Sequence, residues 1–181
     1  MPGRRPRRVG SARAGRPLDA KAATLAACDL LARKAWSTRE LTRRLCRRGA
    51  TPEVARAVVA DLKTRGYLDD EAFARWWAQA RAERRRVGSL RLRSELRAKG
   101  IPPELAAGAI TAAFEEGPEL ERALAAGRHR LPALRGAPAR VPARLCAYLL
   151  RRGYPPSVAR QVVSQLCGAD LGEALIEDER V

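Results

Sequence analysis

One segment of 22 residues occurs three times in this chain, and it constrains the fold more than any other feature. The copies are LTRRLCRRGATPEVARAVVADL from Leu41, LRSELRAKGIPPELAAGAITAA from Leu92 and LCAYLLRRGYPPSVARQVVSQL from Leu145. Gly49, Gly100 and Gly153 align, each four residues after Leu45, Leu96 and Leu149, and each three residues before Pro52, Pro103 and Pro156. The glycines are 51 and then 53 residues apart, which is the signature of a tandem architecture.

The chemistry of each copy is local. Glycine takes the left-handed conformation that ends a helix without a steric penalty. The cations before it (Arg47, Arg48, Lys99, Arg151 and Arg152) face the negative end of that helix. Proline shortly afterwards opens the next helix, where its missing N–H costs nothing. Apolar residues at i, i+4 and i+8, as in Val54, Val58 and Leu62, then predict one buried stripe.

A further helix precedes each pair. In the first copy it is predicted from Asp19 to Lys34, with Leu25, Cys28 and Leu31–Ala32 on its inner face, and Ser37 with Glu40 reads as a capping box for the next helix. In the second, Asp69 or Asp70 caps a helix carrying Phe73, Trp76, Trp77 and Ala80. In the third, Pro118 leads into Leu120 and Leu124 and a helix reaching about His129. Alanine, leucine and arginine dominate and β-branched residues are scattered, so the expectation is an all-α chain. It divides into a basic arm at 1–18, three-helix repeats at 19–68, 69–117 and 118–168, and an acidic tail or short helix at 169–181. A unit of this size buries too little surface to be secure alone, which predicts that the three stack into an elongated, curved array.

Charge narrows the partner class. Against 20 acidic residues there are 36 Lys and Arg, a formal net charge of +16. Such a surface attracts polyanions, either nucleic acid or a protein filament wrapped on it. The densest run in the folded region is Arg81, Arg84, Arg85 and Arg86, followed by Arg91, Arg93, Arg97 and Lys99. A solvated face with Arg91–Glu95 and Glu95–Lys99 pairs would explain some of it, at only ~0.3–0.5 kcal/mol per pair. Those pairs draw on one carboxylate, so the run is read as a binding patch, continued by Arg43, Arg44, Arg47 and Arg48 and by Arg144, Arg151 and Arg152.

Other residues have structural readings. Asp69 and Asp70 suit helix capping better than metal binding, because adjacent residues at a helix start point different ways. Phe73 and Trp77 share a helix face and read as core, while Trp76, off that stripe, and Trp36, at a helix junction, read as partly buried, with exposure for stacking on a base as the alternative for either. Cys28, Cys46, Cys146 and Cys167 form no CxxC pair and lie far in sequence from His129, so they are expected to be reduced, buried thiols without zinc. There is no Gly-rich phosphate loop, HExxH or GxSxG, so no enzyme is indicated. No apolar run approaches the ~20 residues of a membrane span, and the basic N-terminus lacks the apolar stretch of a secretory signal, which predicts a cytoplasmic protein.

At GYLDDEAFARWWAQAR (66–81) and GSLRLRSELRAKGI (88–101) the chain resembles the RecX family. The residues carrying the likeness are Gly66, Tyr67, Leu68, Asp69, Asp70, Phe73, Arg81, Gly88, Arg91, Leu92, Glu95, Leu96, Lys99, Gly100 and Ile101, with a weaker echo at YLLRRGY (148–154). The likeness extends over about residues 20 to 168. It departs from the family at RLPALRGAPA (130–139), which is rich in Pro and Gly where the family keeps a more regular helix. The resemblance implies a tandem three-helix protein, acting as a monomer and without a cofactor. It would bind the active RecA–single-stranded-DNA filament in its groove, directly or through RecA, and touch duplex DNA only weakly. Blocking extension or promoting disassembly, it would reduce RecA's ATP hydrolysis, strand exchange and co-protease activity. The competing readings are a DNA-binding transcriptional regulator, using the helix–Gly–Pro–helix units as helix-turn-helix elements, and a less apt RNA-binding helical array. Against the former, the helix after each Gly is rich in Ala and Val and poor in base-reading side chains.

Overall fold

The structure is a computed structural model that describes residues 18–115, 117–134 and 138–168. The basic arm up to residue 17 and the acidic end from 169 lie outside the described residues. Among those described, the chain is all-helical: α1 (Ala20–Leu31), α2 (Thr38–Arg47), α3 (Pro52–Thr64), α4 (Asp70–Arg85), α5 (Ser89–Ala98), α6 (Pro103–Glu115), α7 (Glu119–Arg130), α8 (Val141–Arg151) and α9 (Pro156–Cys167). Two 3₁₀ turns, Leu131–Leu134 and Pro138–Arg140, occupy the Pro- and Gly-rich stretch between α7 and α8. No described helix is long and apolar enough to cross a membrane.

The repeated Gly does what its position demands. Gly49, Gly100 and Gly153 have φ of +100°, +82° and +82°. After each, the following amide bonds back to the helix: Ala50 N to Leu45 O at 3.1 Å, Ile101 N to Leu96 O at 3.0 Å, and Tyr154 N to Leu149 O at 3.2 Å. Both partners of each bond are buried, which is the Schellman ending with its hydrophobic contact. Pro52, Pro103 and Pro156 then stand first in α3, α6 and α9. Caps follow the same logic, with Asp19, Ser37, Thr51 and Asp69 each accepting from amides of the first turn. Asp69 rather than Asp70 is the cap of α4, through Glu71 N at 2.8 Å and Ala72 N at 3.0 Å.

The chain divides into two compact units, one ending at Leu68 and the other beginning at Asp69. In the first, α1 to α3 enclose Leu41, Leu45, Ala55, Val58, Val59 and Leu62, and Leu18 N bonds Gly49 O at 3.1 Å. Here α1 faces inward differently from the sequence expectation. Its buried residues are Ala23, Ala27 and Leu30, whereas Leu25 is 62% exposed and Cys28 is exposed. Two alanines let the helix approach α3 closely, and the larger Leu25 and Cys28 fall outside that stripe. The expectation of buried cysteines therefore fails at Cys28; Cys46 and Cys167 are half-buried, and only Cys146 is buried.

The second unit holds two triplets with separate cores. Phe73, Ala74, Ala78, Leu92, Leu96, Ile101, Ala109 and Ile110 form one; Ala123, Leu145, Leu149, Tyr154, Ala159, Val162 and Val163 form the other. Trp77 packs against the first, as its spacing from Phe73 predicts, with the rings stacked at 5.9 Å. Trp76, expected to be partly covered, is 55% exposed because the inner stripe of α4 follows Ala74, Ala78 and Ala82. Trp36 is half-buried and donates from its indole to Leu30 O at the end of α1.

Candidate functional site

The α4–α5 hairpin of the second triplet carries the densest charge, and its geometry sorts the cations into two groups. Glu95 lies at the centre of the first group. Its carboxylate, 18% exposed, accepts from Arg81 Nε at 2.7 Å, from Arg91 Nε at 3.2 Å and from the Trp77 indole N–H at 3.2 Å. Lys99 Nζ covers the Trp77 ring at 3.8 Å from its centroid. Burial works to raise the Glu95 pKa, but Arg81's hydrogen bond and charge, helped by Arg91 and Trp77, outweigh it and hold the carboxyl below the usual range. Bonding to Glu95 likewise raises Arg81 against the opposing effect of its own burial. Arg81 and Trp77 on Glu95, with Lys99 over Trp77, thus lock α4 to α5, and Arg91 pairs with Glu95 within α5. Arg81, read from sequence as a binding residue, is half-buried in this contact, while Arg91 stays 48% exposed.

A second set of contacts joins this triplet to the third. Gly88 N donates to Arg152 O and Leu90 N to Gly153 O, both at 3.0 Å. The two glycines fit against each other's neighbours. A Cβ built on Gly88 would stand 2.4 Å from Gly153 O and Tyr154 N, and one on Gly153 would stand 2.5 Å from Arg91 N. Each triplet also sends an arginine to the other's helix C-terminus: Arg152 donates to Arg85 O, and Arg91 donates to Arg151 O at 3.3 Å. Arg152 lies over the Tyr148 ring as well, at 5.2 Å. The first amide of α5, Ser89 N, is capped from outside its own triplet by Glu119 Oε1 at 2.6 Å. Gly88 supplies no side chain for that task, and its lack of one is what admits the third triplet's backbone.

Sequence reasoning missed this junction. It marked Gly88 by resemblance and Gly153 as a helix end, but no short-range pattern pairs residues 65 apart. Arg152, placed in the binding patch from sequence, is half-buried and braces this junction through the Arg85 carbonyl.

The second group of cations points to solvent. Arg84, Arg85 and Arg86 close α4, Arg93 and Arg97 line α5, and all five side chains are exposed. None forms an ion pair among the described residues. Arg86 holds a left-handed conformation, φ 49°, that ends α4 and turns the chain so that Val87 enters the core. A non-glycine residue there carries ~1–2 kcal/mol of strain, so this tip of the hairpin is sharply set. Arg144 and Arg151 of the third triplet are exposed too. In the first unit Arg43, Arg47 and Arg48 are exposed, while Arg44 is half-buried with its Nε enclosed and unpartnered among the described residues. Of the motif residues, Leu68, Phe73, Leu96 and Ile101 are buried, and Tyr67 is 65% exposed after the turn at Gly66.

Comparison with known proteins agrees with this arrangement. The family profile described as RecX, second three-helix domain, matches residues 69–110, and that for the RecX third three-helix domain matches 118–163. The Regulatory protein RecX of Mycolicibacterium vanbaalenii is 36% identical over 142 residues, covering 75% of this chain and 77% of that protein. That of Mycobacterium avium is 34% identical over 153 residues, covering 83% and 84%. Among solved structures, RecX from Lactobacillus salivarius superposes with a TM-score of 0.70 at 13% identity, covering 83% of this chain and 97% of that one, which speaks for the fold. The helical triplets, the Glu95 lock and the glycine junction are thus the frame of a regulatory protein, and the chain belongs to the RecX family.

Proposed function

We propose that this protein binds the RecA–single-stranded-DNA filament and restrains RecA by occupancy, blocking filament growth or promoting disassembly. ATP hydrolysis, strand exchange and co-protease activity then fall together, because all three need the extended filament. The observation that supports this best is the uncompensated cationic tip Arg84, Arg85 and Arg86 with Arg93 and Arg97 on the adjoining helix. Such a surface suits either the phosphates of a bound strand or acidic patches on RecA. Arg144 and Arg151 of the third triplet are exposed cations of the same kind, and the first unit presents a set of its own, Arg43, Arg47 and Arg48. Arg81, through Glu95, and Arg152, through the Arg85 carbonyl, brace the hairpin that carries Arg84, Arg85 and Arg86. The protein performs no chemistry in this reading and works as a cytoplasmic monomer without a cofactor; duplex DNA binds weakly and in a strongly salt-dependent way.

The test is single-strand-dependent ATP hydrolysis by the cognate RecA. Stoichiometric amounts of the protein should slow it. Replacing Arg84, Arg85 and Arg86 together with Ala should raise the amount required by about 10–100-fold, taking ~0.5–1 kcal/mol for each exposed contact. Helicity should not change, because the bracing contact at Arg85 uses its backbone carbonyl. Unaltered hydrolysis with the parent protein, alongside a defined footprint on duplex DNA, would replace this reading with that of a transcriptional regulator.

A further inference from the structure

The third triplet contains a cleft of about 320 Å³ lined by Arg130, Ala133, Leu134, Arg144, Ala147 and Arg151. Three guanidinium-bearing residues reach it from different places. Arg144, Ala147 and Arg151 fall at i, i+3 and i+7 of α8 and so share one face. Arg130 is the last residue of α7, and its guanidinium carbon lies 5.6 Å from the centre of the Tyr148 ring, a contact that orients it. Ala147 keeps the floor between the two α8 arginines low, and buried Leu134 forms a dry wall.

Nothing anionic in the described part of this triplet answers them. From 118 to 168 the acids are Glu119 and Glu121 alone. Both belong to the first turn of α7, about 14 Å or more along the helix from Arg130 at 1.5 Å per residue, and Glu119 is engaged with Ser89 N. Helix dipoles give Arg130 and Arg151 a reason to stand where they do, since each ends a helix. They give Arg144 none. It lies in the first turn of α8, the positive end, where a cation is disfavoured. Three like charges around one cleft, one of them against its helix dipole, fit a site shaped for an anion. Arginine's planar fork matches the tetrahedral oxygens of phosphate in particular.

We propose that Arg130, Arg144 and Arg151 form a binding site for one phosphate group. This deepens the RecA reading at Arg144 and Arg151, on which that reading also draws, and adds Arg130; phosphate binding at the cleft is measured without RecA. Arg130, unmarked by the sequence analysis, becomes a ligand-binding residue.

The experiment uses the full chain and two probes: a fluorescently labelled oligothymidylate followed by anisotropy across a salt series, and inorganic phosphate followed by thermal denaturation against sodium chloride of equal ionic strength. Arg130→Ala, Arg144→Ala and Arg151→Ala are made singly and together. The charge-matched control carries Arg33→Ala, Arg39→Ala and Lys63→Ala, all exposed positions of the first unit. If the three side chains grip one phosphate, each single change weakens oligothymidylate binding about tenfold, the size of one charge-assisted hydrogen bond. The triple change then adds little, and the slope of log affinity against log salt drops by ~0.7, the value for one single-strand phosphate rather than three. A response in the strand arm identifies a backbone phosphate as the ligand. A melting shift with inorganic phosphate that Arg144→Ala abolishes, with the strand arm silent, identifies a free phosphate. Cleft variants that match the control in both arms overturn the proposal. Since RecA hydrolysis is measured separately, that failure would leave the filament reading standing.

Discussion

Gly88→Ala should destabilise the second unit by about 3–5 kcal/mol, although it adds a single methyl group. The Cβ would sit 2.4 Å from Gly153 O and Tyr154 N and 2.5 Å from Gly153 C, all backbone atoms that cannot rotate aside. Relief requires the third triplet to withdraw. That withdrawal breaks the bonds from Gly88 N to Arg152 O and from Leu90 N to Gly153 O, at roughly 1 kcal/mol each, in addition to overpacking strain of ~1–3 kcal/mol. Gly108→Ala serves as the contrast. Gly108 lies within α6 with nothing inside 4 Å of an added Cβ, so the same substitution there should stabilise by ~0.5–1 kcal/mol through helix propensity. Denaturant unfolding gives the sign and size for both. Hydrogen exchange gives the location: Gly88→Ala should speed exchange at the Gly88 and Leu90 amides and leave α1 to α3 unchanged. Equal, small effects at the two positions would show that the triplets are not interlocked there.

Glu95→Ala should cost about 2–4 kcal/mol, because it leaves Arg81 and the Trp77 indole enclosed without their acceptor. The range sits below that for a fully buried pair, since Arg81 is 27% exposed and water can reach it. A pH dependence accompanies the loss. Glu95 has a lower pKa folded than unfolded, so its contribution is complete above the unfolded value, ~4.3 for Glu. It fades as pH falls through the folded value, where the carboxyl takes up a proton. The parent should therefore lose stability on acidification below about pH 4, and Glu95→Gln should be less stable at neutral pH but flatter over that acid range. Parallel curves for parent and Glu95→Gln would mean that the carboxylate is not what locks α4 to α5.

Much of the frame is legible in the sequence because it rests on short-range chemistry. Gly49, Gly100 and Gly153 announce helix ends, Pro52, Pro103 and Pro156 announce helix starts, and Asp69 caps α4, each through atoms a few residues apart. Periodicity serves less well where alanine lines the interior. In α1 the buried stripe follows Ala23 and Ala27 and leaves the larger Leu25 outside, so a reading weighted toward bulky side chains picks the wrong face; in α4 Phe73 and Trp77 mark the inner face beside Ala74 and Ala78, and Trp76 falls outside it. The candidate surface is legible only as a total. Composition shows an excess of cations, but which of them face solvent depends on partners distant in sequence: Glu95 for Arg81, the Arg85 carbonyl for Arg152. Once those are removed, the exposed remainder is a smaller and better defined set than the run of arginines suggests. Arg130 escaped notice for the same reason, since its companions Arg144 and Arg151 are brought to it only by the packing of α7 on α8.

Co-sedimentation tests the central claim most directly. RecA assembled on single-stranded DNA should carry this protein into the pellet in a saturable, near-stoichiometric way, while RecA without DNA should leave it in solution. Recovery of the protein entirely in the supernatant beside pelleted filaments would contradict the account.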